Sequence, residues 1–205
     1  MTPQEQTLQS RITNSAHRDA VRNIFGLASR LNAERAKLKA DASLSDIGRE
    51  EKAAAFAKSL VKTLSELTRP ARRAKADVAA KRAAFKLPEI DKTDLVGELR
   101  RAEIRGFLRP LSLDERTRAA ATDDEIAEAV LNANPMLSGL PIDRYEHIKN
   151  AYLEKKFGPQ IQALEAADEE HEAVEAAATM TRRELLNASG MSANDFAALE
   201  KSHET

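Results

Sequence analysis

Apolar side chains recur at alternating three- and four-residue steps along most of the chain, and this period constrains the fold more than any other feature. The spacing matches one face of an α-helix. Of the 86 residues scored hydrophobic, 37 are Ala, whereas Val and Ile together number 15. Alanine favours helix and buries little surface, while β-branched residues favour strands. The sequence therefore predicts an all-α protein whose core is thin for its length.

Composition excludes several classes of protein. There is no Cys, so disulfides, thiolate metal sites and Cys nucleophiles are excluded. No apolar run approaches the ~20 residues needed to span a bilayer, and residues 1–30 carry no signal-peptide pattern. Charged residues make up 32% and aromatic residues 4%, which is typical of long exposed helices rather than of a globular enzyme. We expect a soluble protein made in a cytoplasm, with no membrane partner and no cofactor.

Two long amphipathic helices are predicted for the N-terminal half. Residues 1–42 form the first helix, and residues 43–88 form the second, with a kink or restart at Pro70 because the proline ring clashes with the carbonyl of Glu66. The two helices are predicted to fold back as an αα-hairpin of coiled-coil type. Their shared apolar stripe, called here the arm stripe, is predicted to bind a partner. It consists of Val21, Ile24, Leu31, Leu38, Leu60, Leu64 and Leu67.

A compact helical head is predicted over residues 89–158. Ser112-x-x-Glu115 and Thr122-x-x-Glu125 each match a capping box, which starts a helix by satisfying free backbone N–H groups. Between helices lies an apolar connector, residues 134–141, whose Met136, Leu137 and Leu140 are predicted to be buried or available to a partner. Gly158-Pro159 is predicted to end the last helix of the head.

Two further helices are predicted after the head. Residues 159–189 form an acidic, Ala-rich helix that starts near Gln160 and ends at Gly190. Residues 190–205 form a short helix and tail, capped by Ser192 and Asp195. The short helix follows a helix and a Gly turn, as in a DNA-reading helix-turn-helix, but it presents no Arg or Lys to bases, so a helical cap or docking tail is the preferred interpretation.

Charge is divided unequally along the chain. Residues 1–110 carry a net charge of +9 and residues 111–205 a net charge of −10, although the total is −1. We call residues 69–86 the basic arm and residues 165–175 the acidic arm, and we predict that they pair side by side in antiparallel orientation. Alternatively, the basic arm contacts phosphate, although no aromatic residue is interleaved to stack bases. The candidate basic residues are Arg69, Arg72, Arg73, Lys75, Lys81 and Arg82, and the candidate acidic residues are Glu165, Glu169 and Glu172.

No residue set predicts catalysis. Asp168-x-x-His171 places a carboxylate and an imidazole on one helical face, but a di-iron bundle needs a second copy and two more Glu, which the chain lacks. The seven Gly are scattered singly, so no phosphate-binding loop is present. We therefore predict no catalytic residue, no metal ligand and no enzymatic activity.

Four phrases give the chain a resemblance to a group of known proteins. They are Gly97-Glu-Leu-Arg-Arg-Ala-Glu-Ile-Arg, Leu111-Ser-Leu-Asp-Glu-Arg, Ala129-Val-Leu-Asn-Ala-Asn-Pro-Met-Leu-Ser-Gly-Leu and Tyr152-Leu-Glu-Lys-Lys-Phe. Over roughly residues 94–178 the chain resembles uncharacterised all-helical proteins encoded among the structural genes of tailed bacteriophages. The resemblance implies a virion or assembly component and supplies no catalytic residue.

Three functions are compatible with these features. The first is a non-enzymatic helical structural protein present in several copies, a minor virion component at a capsid, portal or tail junction, which contacts itself or other virion proteins. The second is a nucleic-acid-associated protein that uses the basic arm. The third is a transient scaffold or assembly chaperone. The expected location is the virion, and the host cytoplasm during assembly.

Overall fold

A computed structural model describes residues 2–89, 91 and 93–203, and over these residues the chain is helical without strands. The predicted all-α fold is confirmed. The described helices are α1 (Pro3–Gln9), α2 (Ser15–Ala40), α3 (Asp46–Ala83), α4 (Leu95–Leu108), α5 (Leu113–Thr122), α6 (Asp124–Leu131), α7 (Pro135–Ser138), α8 (Ile142–Ser189) and α9 (Ala193–Ser202).

The chain divides into two compact units. Unit 1 consists of Met1–Ala79 and Glu165–Thr205, and unit 2 consists of Ala80–Leu164. The divisions fall within α3 and α8, so each of these helices contributes residues to both units. The predicted head, residues 89–158, lies inside unit 2.

The core of unit 1 is formed by α2, α3, α8 and α9. Val21, Ile24 and Leu31 of α2 lie in the same buried cluster as Leu60 and Leu64 of α3. Predicting these five residues as a partner-binding stripe was therefore wrong, because their surface is buried inside unit 1. The other two stripe residues, Leu38 and Leu67, are half-buried.

The acidic part of α8 packs against the apolar faces of α2 and α3, a contact that the sequence did not predict. Ala173, Val174, Ala177 and Ala178 of α8 are buried in the same cluster, and so is Phe196 of α9. Small alanine side chains let helices approach closely, so a face that offers little apolar area can still exclude water from leucine and valine on its neighbours. The leucine and valine side chains of α2 and α3 are therefore covered within unit 1.

The predicted single N-terminal helix is interrupted between α1 and α2. Asn14 caps α2 by accepting a hydrogen bond from the Ala16 backbone N–H at 2.9 Å. The backbone N–H groups of Thr13 and Asn14 donate to the carboxylate of Glu170, at 2.8 and 3.1 Å. These groups satisfy the chain at the break, so the continuous helix predicted over residues 1–42 is wrong.

Neither of two proline positions ends a helix. Helix α3 continues through Pro70, so of the predicted kink or restart the restart is wrong, and the helix ends at Ala83, before the predicted boundary at residue 88. Helix α8 continues through Gly158-Pro159, so the predicted stop and the new start at Gln160 are also wrong. A proline inside a helix costs about 3 kcal/mol. Packing offsets this cost, since Thr68 and Ala71 beside Pro70 are buried, and Gly158 brings no Cβ against the ring that follows it.

Unit 2 consists of the end of α3, helices α4 to α7 and the first part of α8. Its buried cluster includes Leu108, Val130, Leu131, Ile148 and Tyr152. The capping box of Ser112 and Glu115 is present at the start of α5.

The prediction of a second capping box, formed by Thr122 and Glu125, is wrong. Asp123 caps α6 by accepting from the N–H groups of Glu125 and Ile126. The Thr122 hydroxyl belongs to the end of α5, where it donates to the carbonyl of Arg118 at 2.9 Å. An Asp immediately before the helix is a better cap than a Thr one residue earlier.

Helix α9 packs onto the core of unit 1. Gly190 adopts φ +64, and Ser192 then caps α9 by accepting from the Asp195 N–H at 3.1 Å. Phe196 is 2% exposed in the core, and Glu200 is also buried. This placement agrees with a docking tail.

Candidate interaction surfaces

The largest apolar side chains left exposed belong mainly to unit 2. Nine large hydrophobic residues are exposed in the described part of the chain, and seven of them lie on α4, on α7 or at the start of α8. Contiguous exposed apolar patches on soluble proteins are typical of interaction sites. We call these seven residues the α4–α7 surface. They are Leu95, Val96, Leu99, Phe107, Met136, Leu137 and Ile142.

Helix α4 buries one face in the core of unit 2, and its apolar residues on the opposite face remain exposed. Leu108 is fully buried in the core of unit 2, and Ile104 packs partly against it. Arg105 is 6% exposed and donates to the Ala129 carbonyl at 2.9 Å and to Glu98 at 2.6 Å. With these residues turned inward, the helical period turns Leu95, Leu99 and Phe107 outward. They are 71–74% exposed.

The α7 turn lies next to the C-terminal end of α4. Arg109 Nε donates to the Leu137 carbonyl at 3.0 Å. Arg116 also binds this turn, donating from Nη1 to the Gly139 carbonyl at 2.7 Å. These two arginines fix the backbone of α7 while its side chains project, so the turn extends the apolar surface of α4.

The predicted apolar connector is divided between the surface and the core. Met136 is 85% exposed and Leu137 is 46% exposed, whereas Leu140 is 5% exposed and belongs to the core of unit 2. Leu140 is therefore unavailable to a partner in this fold. The sequence could not separate the three residues, because a punctuated segment has no period from which to assign a buried face.

An ion pair joins the basic arm to the acidic arm. Arg72 Nε lies 3.0 Å from Glu175 Oε1. The three acidic candidates, Glu165, Glu169 and Glu172, are exposed instead.

The basic candidates have different environments. Arg69 donates to the His203 carbonyl and is half-buried, and Arg72 is half-buried as well. The remaining basic candidates, Arg73, Lys75, Lys81 and Arg82, are exposed.

A buried carboxylate on α9 binds two arginines, and sequence reasoning missed it. Glu200 Oε1 lies 3.1 Å from Arg72 Nη2 and 2.7 Å from Arg182 Nη2, and Arg182 Nε lies 2.9 Å from Glu200 Oε2. Burial opposes ionisation of Glu200, but the hydrogen bonds from Arg182 and the charges of both arginines outweigh it and lower the pKa of the carboxyl. The cluster fastens α9 to α3 and α8 within unit 1.

A second buried carboxylate, Glu170, fastens the α1–α2 break to α8. Its Oε1 accepts from the Thr13 hydroxyl at 2.5 Å as well as from the two backbone N–H groups, and its Oε2 lies 2.8 Å from His17 Nδ1. Burial opposes ionisation, yet the hydrogen bonds from Thr13, His17 and Asn14 lower the pKa of Glu170 to about 2. Glu170 is therefore negatively charged, and both of its carboxylate oxygens have hydrogen-bond partners at the α1–α2 break.

His171 completes this cluster without forming a metal site. Its ring is 3% exposed and meets the ring of His17 edge to face, with centroids 5.1 Å apart. Burial and the neighbouring His17 lower the pKa of His171, although Asp168 and Glu170 oppose them. Within the described residues no group of three His, Asp or Glu side chains is placed to hold a metal ion, and the candidate pair of Asp168 and His171 is not joined by further ligands.

The cavities of the two units are open hollows without converging reactive groups. One of about 560 Å³ in unit 1 is lined by Arg35, Lys39, Arg49, Glu50 and Glu51 with several alanines. Another of about 720 Å³ in unit 2 is lined by four acidic residues, three apolar residues, Arg101 and Asn132. Neither contains a nucleophile beside a general base, which is the arrangement that nucleophilic catalysis requires.

Comparison with known proteins does not assign the chain to a family. No protein-family model matches the chain, and neither the curated proteins nor the solved structures gave a match. Among the described helices, none combines the length and apolar character needed to cross a bilayer.

Proposed function

We propose that the chain is a non-enzymatic structural or assembly protein that works by protein–protein contact through the α4–α7 surface. The observation that carries the proposal is the concentration of seven exposed large apolar residues on one part of unit 2. Surfaces of this composition bind protein, because burying them removes apolar area from water.

The buried charged groups support the same proposal. Glu170 and Glu200 have strongly stabilised negative charges, but both are occupied by capping and arginine contacts within unit 1. A catalytic acid or base needs a reachable proton and a pKa near the working pH. The carboxylates that would be the first candidates for catalysis therefore have structural roles.

We further propose that the chain is a minor component of a tailed-phage virion, present in several copies at a capsid, portal or tail junction. The resemblance of residues 94–178 to proteins of phage structural genes supports this location. It covers α4 to α7, the elements that carry the apolar surface. Contact between copies, or with other virion proteins, is the role that such a surface would have there.

Quantification of the chain in purified particles tests the proposal. Particles and unassembled protein are separated on a density gradient, and peptides of the chain are counted by mass spectrometry against peptides of the major capsid protein. We expect several copies per mature particle, with an abundant host cytoplasmic protein as the control for carry-over. Recovery of the chain only with unassembled protein would contradict the proposal.

The same experiment separates the scaffold alternative. A scaffold would be present in precursor particles and lost or cleaved in mature ones, whereas a virion component would be retained. The nucleic-acid alternative is tested by titrating the chain with DNA at two salt concentrations, because phosphate binding by the basic arm must weaken steeply with salt.

A further inference from the structure

The exposed face of α4 carries large side chains in its N-terminal half and small ones in its C-terminal half. Leu95 and Leu99 project from the N-terminal half, while Ala102 and Gly106 lie on the same face in the C-terminal half. A Cβ built on Gly106 would meet no atom within 4 Å, so the surface there is open. The face is therefore a ridge followed by a shallow depression.

Such a face is complementary to itself only in antiparallel orientation. A parallel copy would set leucine against leucine and leave a gap between the small residues. An antiparallel copy sets the ridge of each helix over the depression of the other, with Leu99 entering the space between Ala102 and Gly106 of the partner subunit. This is the packing of a side chain into a hole that coiled-coil helices use.

The edge of the face is complementary in the same register. Val96 and Phe107 lie on one edge at opposite ends of the helix, and both are more than 70% exposed. Antiparallel pairing brings Val96 to the partner's Phe107. Between them, Arg100 and Glu103 are exposed on that edge. Arg100 Nε lies 2.5 Å from Glu125 Oε1 of its own chain, and the same pairing brings the partner's Glu103 beside this exposed ion pair, so the electrostatic contribution to the orientation is small.

The available apolar area suits a dimer of ordinary size. Seven large apolar side chains, most of them about 70% exposed, lie on this surface, whereas the largest apolar patch of a typical soluble monomer covers roughly 300–600 Å². A standard interface buries roughly 800 Å² per partner, of which roughly two-thirds is apolar in homodimers. Burial of the exposed large side chains of α4 together with those of the neighbouring α7 turn would supply apolar area of this order.

We propose that two copies of this chain form an isologous dimer through antiparallel α4 helices. This inference rests on the proposed function, because it names a second copy as the partner of the α4–α7 surface. An anionic membrane or nucleic acid is a poorer occupant, because the centre of the exposed face, formed by Leu95, Leu99, Ala102 and Gly106, has no Lys or Arg to bind phosphate. The two-fold axis passes near Ala102, so Ala102 of each copy lies close to Ala102 of the other.

Engineered cysteines test this geometry directly because the chain has no Cys of its own. Ala102 is exposed, so Ala102→Cys removes no core contact. Ala33→Cys, at an exposed position of α2, is the matched control. Under mild oxidation we expect the Ala102→Cys chain to form a disulfide dimer at least tenfold faster than the control. Equal rates would overturn the proposal.

Orientation is tested with two further variants. When Val96→Cys and Phe107→Cys chains are mixed, we expect the mixed disulfide to exceed both homodimers, because antiparallel pairing joins these positions. Predominant Val96→Cys homodimers would indicate parallel pairing and would overturn the proposed geometry.

Sedimentation equilibrium of the unmodified chain and of Leu99→Lys provides the thermodynamic test. We expect a dimer whose dissociation constant rises at least tenfold in Leu99→Lys, with an unchanged circular dichroism spectrum because Leu99 is 71% exposed. A monomer at all concentrations would refute the dimer. If that monomer were nevertheless found in mature particles, the proposed function would stand and the second copy would be replaced by another virion protein.

Discussion

Replacement of Glu170 by Gln isolates the contribution of one buried charge. Gln has nearly the same shape and keeps one carbonyl oxygen that can accept from Thr13, but it carries no charge for the hydrogen bonds around it. The perturbation therefore leaves the packing of α8 against the α1–α2 break intact. It removes the charge, and it replaces Oε2, which lies 2.8 Å from His17 Nδ1, by an amide nitrogen that donates.

The magnitude follows from the pKa of the carboxyl. The pKa of Glu170 falls from 4.5 to about 2 in the folded chain. A shift of one unit corresponds to about 1.4 kcal/mol, so the folded state favours the charged form by about 3 kcal/mol. Because Gln retains part of the hydrogen bonding, we expect Glu170→Gln to lower the free energy of unfolding at pH 7 by about 2 kcal/mol.

The pH dependence of this difference has a definite sign. A carboxyl whose pKa is lowered by folding stabilises the protein above its unfolded pKa, near 4.5, and this stabilisation is lost as the pH falls toward 2. The variant has no such titration. The stability difference between the two proteins should therefore close between pH 4.5 and pH 2.

His171 adds an acid sensitivity that both proteins share. Burial lowers the pKa of His171, so the unfolded chain takes up a proton at a higher pH than the folded chain does. Its contribution to stability is complete above the unfolded pKa, near 6.5, and decreases as the pH falls below that value. Because the charge of Glu170 raises the pKa of His171, Glu170→Gln lowers that pKa further, so the His171 contribution cancels only in part from the difference between the two proteins.

Urea unfolding followed by far-ultraviolet circular dichroism measures the difference, at pH 7 and at intervals down to pH 3. Tyrosine fluorescence cannot report on unit 1, because both tyrosines, Tyr145 and Tyr152, lie in unit 2. Hydrogen exchange of peptides covering α2 is therefore used to localise the effect to unit 1. Glu169→Gln, on an exposed neighbouring position, is the control and should change stability by less than about 0.5 kcal/mol. A loss equal to the control, or one independent of pH, would refute the reasoning.

Three other changes have expected outcomes. Glu200→Gln should cost about 2 kcal/mol because two partly exposed arginines lose their shared carboxylate, and limited proteolysis should then release α9, whereas exposed Glu184→Gln should do neither. Tyr152 donates to Glu128 at 2.5 Å, and burial with this contact raises its pKa, so Tyr152→Phe should abolish the late step of tyrosine ionisation seen by ultraviolet absorbance. Gly190→Ala should cost about 1 kcal/mol in urea unfolding, because φ is +64 and no neighbour crowds the site.

Local sequence signals predicted the helical character well but not every boundary. Ser112-x-x-Glu115 gave its capping box because both partners act within four residues. Pro70 and Pro159 were interpreted as interruptions from the same kind of local signal, and both lie inside helices. Helix continuation there depends on tertiary packing, which a local rule does not contain.

The interaction surface was harder to predict than the fold. Leucines on α2 and α3 have the regular spacing expected of a partner-binding stripe, but the same spacing is required of a core face. Only the position of Val174 and its neighbouring alanines distinguishes the two. Glu200 shows the same limit, because its arginine partners lie 18 and 128 residues away along the chain.

Hydroxyl-radical footprinting of the free and the assembled chain tests the central claim most directly. The account predicts that labelling of the α4–α7 surface falls several-fold on assembly, while the buried arm stripe is protected in both states. Strong labelling of the arm stripe in the free chain, or equal labelling of the α4–α7 surface in both states, would contradict it. The diagnostic residues are Leu95, Leu99, Phe107 and Met136 for the surface and Val21, Ile24 and Leu64 for the stripe.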